Sequence, residues 1–169
     1  MATVNVSYAT AASITIDLAN LASSGTFVSG RESNQIDNTS NKYMDCLVRG
    51  KISVGTTPTA NTAIAVYVWG SNVSLATTPI DTLDGVDSAE TLTNTGILNA
   101  LRWGASVAVP AATSDVAYEI IPFSVASRFG GVMPKFWGLY VAHSTGVNLR
   151  NNAVNTNGLE YVGITYTVA

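Results

Sequence analysis

The sequence predicts an all-β domain: an antiparallel two-sheet sandwich, jelly-roll-like, of about eight strands. Three observations carry this reading. The dominant apolar period is two: Met44, Cys46, Val48, Gly50, Ile52 and Val54 alternate with Tyr43, Asp45, Leu47, Arg49, Lys51 and Ser53. Gly, Asn, Thr and Pro punctuate the apolar runs every few residues, which is turn chemistry between short strands. The length of 169 residues suits one domain able to bury about two-thirds of its unfolded surface.

Taken in chain order, residues 1–12 are small and polar, lack a clear core pattern and read as an N-terminal arm or a disordered tail. The sandwich domain then spans 13–169. Ser13–Ala19 places Ile14, Ile16 and Leu18 on one face, and a short strand falls around Asn34–Asp37. The alternating strand through Cys46 has one apolar and one mostly polar face, and Gly55-Thr-Thr-Pro58 ends it. Ala63–Gly70 is apolar on both faces, so it is central or covered by another chain. Residues 71–100 show no alternation and read as a long connection with a short helix near Ile97–Leu101; connections this long often carry function. Ser106–Val109 stops at Pro110, and Val116–Phe123 contains Pro122, which demotes its end to an edge or a bulge. Phe136–His143 and Glu160–Val168 complete the set, the last with Val162, Ile164, Tyr166 and Val168 inward. The expected core is Val48, Ile52, Val66, Ile120, Val162, Ile164 and Tyr166.

Charged residues make up 11% of the chain and the net charge is −3, while Ser, Thr and Asn number fifty. A mostly neutral polar surface with a net negative charge argues against nucleic acid as a partner. The apolar runs fall far short of the ~20 residues that span a bilayer, and the N-terminus shows no signal-peptide pattern, so no membrane partner is expected.

Candidate chemistry is sparse. The single Cys46 excludes an internal disulfide and sits at an apolar position, as a buried small hydrophobe does. His143, the sole histidine, could serve as the base of a nucleophilic triad, but no Gly-x-Ser-x-Gly elbow accompanies it and a turn position is the plainer role. Asp81, Asp84, Asp87 and Glu90 recur every third residue near Gly85; hard cations take such oxygens, yet the spacing is not that of an EF-hand. Asp17, Glu119 and Glu160 lie in or near strands, but nothing in the sequence sets a pair at glycosidase separation. Asp45, Arg49 and Lys51 share a strand face and read as a solvent-side ion-pair ladder. Trp69, Trp103 and Trp137 could stack sugars, but core or interface anchoring is the more economical role. Arg128 and Phe129 precede Gly130-Gly131 and could project from that connection. No enzyme, cofactor or metal site is expected.

Five stretches resemble small virion structural proteins of tailed bacteriophages: Gly30-Arg-Glu-Ser33, Asp37-Asn-Thr-Ser-Asn-Lys-Tyr43, Gly50-Lys-Ile-Ser-Val-Gly-Thr-Thr-Pro-Thr59, Phe129-Gly-Gly-x-x-Pro134-x-x-Trp137-Gly138 and Asn157-Gly-Leu-Glu-Tyr161. The resemblance covers roughly Gly30 to Val168. It implies a β-sandwich of the capsid-decoration (cement) or accessory-fibre class and carries over no catalytic residue. The expected function is that of a head-stabilising virion protein made in the host cytoplasm and bound to the capsid exterior, where it bridges subunits of the major capsid protein or contacts other virion proteins. Self-association, as a homo-trimer, is expected too. The alternatives are a tail, neck or head-fibre accessory protein, or a glycan-binding module. The arm and the long connection are the expected reaching elements, with Leu75, Ile80, Leu83, Ile97 and Leu98 supplying burial against a partner and Arg128 and Phe129 adding to the contact.

Overall fold

The computed structural model describes residues 3–150 and 158–168; Met1 and Ala2 of the expected arm, Asn157 of the last motif and Ala169 lie outside the described residues. Among the described residues eleven strands form two antiparallel sheets. The first contains β1 (Val4–Tyr8), β2 (Ala12–Ser13), β5 (Asp45–Ser53), β9 (Ala117–Ser124) and β11 (Leu159–Val168), ordered β1-β11-β5-β9 with β2 also pairing β11. The second contains β3 (Ser29–Glu32), β4 (Ile36–Asp37), β6 (Thr62–Ser71), β7 (Ser88–Thr91), β8 (Arg102–Val109) and β10 (Phe136–His143), ordered β7-β3-β10-β6-β8 with β4 also on β10. Setting aside the short β2, β4 and β7, the remaining eight strands numbered in chain order pair as 1-8-3-6 and 2-7-4-5, which is jelly-roll connectivity.

Eight principal strands are therefore present, but they are not the eight expected. Of the first candidate only Ser13, in β2, pairs in a sheet. The chain then crosses between the sheets: the Ile14 N–H donates to Leu159 of the first sheet, and the Thr15 carbonyl accepts from Asn34 beside the second. Ile14 and Leu18 are buried as the alternation requires, without a ladder. The strands that the sequence reading lacked are β1, β3 and β7. Within the expected arm, Val4–Tyr8 form β1, an edge strand in register with β11 from Val4↔Val168 to Tyr8↔Ile164.

Two cores follow from the pleat. Between the sheets lie Cys46, Val48, Ile52, Ile120, Phe123 and Leu159 from one side, and Ile64, Val66, Val68, Trp137, Leu139 and Val141 from the other. On the far face of the second sheet, Ala65, Tyr67, Trp69, Tyr140 and Ala142 pack with Leu75, Leu83, Leu92 and Leu101. The double-sided apolarity of β6 is thus covered by the chain's own connection, not by another chain. Within that connection a 3₁₀ turn forms at Thr95–Asn99, capped by the Asn94 side chain.

The expected inward face of β11 is reversed. Leu159, Tyr161 and Gly163 face the core, where Tyr161 meets Trp137 edge-on at 5.4 Å and Gly163 leaves room for the Tyr43 ring. Val162 and Ile164 are half-buried on the outer face, and Tyr166 is exposed there. Val48, Ile52, Val66 and Ile120 are buried as expected.

Candidate functional site

His143 closes β10 and is fully buried. Its Nε2 lies 2.9 Å from the Leu21 carbonyl and its Nδ1 2.9 Å from the Thr145 hydroxyl. A carbonyl only accepts, so Nε2 carries the proton and Nδ1 is left to the hydroxyl. Burial, opposed by the Leu21 bond, lowers the imidazole pKa from its ordinary value. Both nitrogens are engaged: Nε2 ties β10 to the segment before β3, and Nδ1 holds the turn that follows β10. Cys46 is also fully buried, and desolvation pushes its thiol up to about 12.

The acidic residues of the long connection act separately. Asp87 pairs with Arg31 at 2.7 Å and accepts from the Asp17 N–H. Asp84 accepts from the Val86 N–H, Asp81 from the Thr93 N–H, and Glu90 from the Ser88 hydroxyl. Among the described residues no three His, Cys, Asp or Glu side chains converge as a metal site would require. Glu119 and Glu160 do reach one groove, on either side of β5, but Lys51 meets Glu119 at 3.2 Å and Arg49 pairs with Glu160. This is the expected ion-pair ladder, except that Asp45 is not part of it. Asp45 instead accepts from the Cys46 and Ala126 N–H groups and so seats the helical turn α1 (Val125–Arg128).

The residues expected to bridge a partner are mostly spent inside the chain. Leu75 and Leu83 are fully buried in the second core, with Ile80, Ile97 and Leu98 packed against it. The reason is the apolar outer face of β6 and β10, which the connection must cover. A clamp on residues 31–35 holds it down. Buried Glu32 accepts from the Asp84 and Gly85 N–H groups, Gln35 from the Leu75 N–H and Asn34 from the Asp87 N–H. Desolvation, the largest cause, raises the Glu32 carboxyl to about 8. Arg128 and Phe129 do not project: Arg128 lies 5.7 Å over the Phe123 ring and donates to the Gly104 carbonyl, and Phe129 packs on the first core. Of the tryptophans, Trp69 and Trp137 are buried, and Trp103 is half exposed edge-on to Tyr67.

What remains open is a ribbon that the sequence reading overlooked. The register of β1 on β11 aligns Val4 with Val168, Val6 with Tyr166 and Tyr8 with Ile164, so all six side chains share the outer face. Val4 is 63% exposed, Val6 53%, Tyr8 64%, Tyr166 55% and Val168 72%. Asn5, Ser7, Thr165 and Thr167 take the opposite face, and neither strand segment carries a charge over this length. The signal was present in the sequence as the strict alternation Val4-Asn-Val-Ser-Tyr8, masked by the small polar residues around it.

A second surface lies where connections of the two sheets meet, beside Tyr43, which packs under Gly163. A groove of about 530 Å³ runs between residues 38–44 and 131–135, walled by Met44, Val132 and Met133 with Lys42 and Lys135 beside them. None of its described lining residues is acidic. No protein-family model matches the chain, and neither a curated protein nor a solved structure matches it.

Proposed function

We propose that this chain is a structural assembly protein rather than an enzyme: a phage virion protein that binds the capsid exterior and strengthens the head by bridging capsid subunits. The observation that carries this reading is the uncharged apolar ribbon of β1 and β11, left outside a sandwich whose own two cores are already closed. Apolar side chains clustered on one exposed face favour contact with another macromolecule over solvent. The groove at Met44 and Val132 supports the bridging role, because a bridging subunit needs two contact surfaces and the groove shares no residue with the ribbon. The jelly-roll order agrees with the virion resemblance of the sequence, although the same architecture also serves lectins and other functions.

The mechanism is additive contact. Each subunit touches neighbouring capsid proteins, so separating them must also break its contacts, and repetition over the shell multiplies modest interfaces. The low charge count keeps the desolvation cost of such contacts small. Electron microscopy of purified phage particles carrying the chain tests the proposal. Regular density on the capsid exterior supports it. Density confined to the tail, neck or a fibre transfers the chain to the accessory class, and absence from the particle overturns the reading.

A further inference from the structure

We infer that the outer face of the β1–β11 ribbon is the docking surface for a second copy of this chain. The inference deepens the assembly reading by naming the partner of one of its surfaces. It rests on four observations.

The first is charge. The face carries Val4, Val6, Tyr8, Ile164, Tyr166 and Val168 and no ionisable acid or base apart from the two phenols, so two copies meet without like-charge repulsion. A partner selected by charge would find nothing on this face to read.

The second is shape. Along the ribbon the small pair Val4 and Val168 occupies one end, and the bulkier Tyr8 and Ile164 the other. A twofold axis through the middle pair, Val6 and Tyr166, sets the large end of one copy on the small end of its mate. Alternation of large and small residues across facing positions is how two sheet faces interdigitate.

The third is area. Five side chains more than half exposed leave on the order of 500 Å² open per copy, so face-to-face packing removes about 1,000 Å² in total, where specific association begins.

The fourth is the edge itself. The other three sheet edges carry a guard: Glu90 on β7, Arg102 on β8, and Glu119 with Pro122 on β9. Strand β1, Val-Asn-Val-Ser-Tyr, has neither charge nor proline. Charge and proline are what keep a second copy away from a sheet edge, and β1 presents neither to a copy brought against its outer face.

Sedimentation equilibrium of the purified full chain over a concentration series tests this, with two double variants on the same strands. The wild type is expected to rise from monomer toward dimer mass. Val6→Lys with Tyr166→Lys, on the apolar face, is expected to remain monomeric at every concentration. Asn5→Lys with Thr167→Lys, on the opposite face, is expected to associate as the wild type does. Thermal melting verifies that both variants are folded, as their exposed positions lead one to expect. A trimer abolished only by the apolar-face pair would overturn the twofold packing argued here, since an isologous contact closes as a dimer. A wild type that stays monomeric, including one that instead takes up an oligosaccharide on Tyr8 and Tyr166, overturns the inference, as does an equal effect of the two pairs. Because the measurement uses the chain alone, failure here leaves capsid binding standing, and failure to find the chain on the particle leaves self-association standing.

Discussion

The long connection after β6 and the ribbon at the N-terminus make an instructive pair. Both lacked an obvious core role in the sequence, and both were expected to reach out toward a partner. The connection folds back. Its Leu75, Leu83, Leu92 and Leu101 cover the far side of β6 and β10, and buried Glu32 and Gln35 fasten its backbone. The ribbon stays out, with five large side chains more than half exposed. The difference lies in what each segment finds across from it. The connection faces a sheet surface built of Ala65, Tyr67, Trp69 and Tyr140, whereas no described element lies over the ribbon's apolar face. Apolar content alone does not mark a contact surface; apolar content without a partner in the same chain does.

The largest expected effect tests the connection. Leu83→Ala removes a fully buried side chain from the second core and should cost about 2–5 kcal/mol, a fall in melting temperature on the order of 10 °C. If the connection were a loose reaching arm, the melting temperature would not move. Next comes Gly138→Ala on β10. A Cβ there would overlap the Trp69 ring and stand 2.9 Å from the Ser33 hydroxyl. Displacing that ring from the second core should cost about 1–3 kcal/mol, read by thermal melting together with altered tryptophan fluorescence.

Alternation in the sequence exposed the strand through Cys46, whose one face serves the inter-sheet core, and apolar runs bounded by turn residues or proline exposed those through Val66, Ile120 and Leu139. It did not expose β3 and β7. Ser29–Glu32 carries a glycine and a buried carboxylate where an aliphatic would be expected, since Tyr140 fills the space at Gly30 and Glu32 serves the clamp. Nor did it orient β11. There the apolar run Val162, Ile164, Tyr166, Val168 is the more hydrophobic set, yet Gly163 must face inward to admit Tyr43. The rule that the more apolar face is the core face fails at β11, where Gly163 and Tyr161 take the inner side and Tyr166 and Val168 stay exposed. The contact ribbon was readable as alternation but not as surface, because its pairing with β11 spans nearly the whole chain.

The clamp gives the connection a pH dependence. The Glu32 carboxyl is raised to about 8 from an ordinary 4.5. The folded state therefore holds a proton that the unfolded state has released, and the contribution to stability is complete below pH 4.5 and lost as pH rises through about 8. His143 works in the opposite direction. Its folded pKa is lowered, so its contribution is present above the ordinary 6.5 and declines as pH falls below it. Urea unfolding from pH 5 to 9 should show stability declining toward the alkaline end, and Glu32→Gln should flatten that decline while retaining an acceptor for the Asp84 or Gly85 N–H. Hydrogen exchange at those two amides should quicken with pH beyond the intrinsic rate in the wild type and not in the variant. An unchanged alkaline slope in Glu32→Gln would remove Glu32 as its source.

The smallest expected effect on stability is in the ribbon, and its smallness sharpens the contrast with Leu83. Val6 is more than half exposed and touches solvent on the outer face, so Val6→Lys removes little burial and leaves no cavity. Substitutions at such positions change stability by about 0.5 kcal/mol or less. Lysine is a poorer strand former than valine, which sets the sign as slightly unfavourable. At low protein concentration, where self-association contributes nothing, the denaturation midpoint of Val6→Lys should therefore match the wild type within that margin. At high concentration the two should separate, because a dimer adds stability to the native state by mass action and only the wild type can form it. Melting curves recorded at two concentrations on the order of a hundredfold apart read both quantities in one experiment, given the logarithmic dependence of linkage on concentration. A Val6→Lys variant that loses several kcal/mol even when dilute would mean that the ribbon belongs to the fold as the connection does, and the distinction between the two regions would collapse.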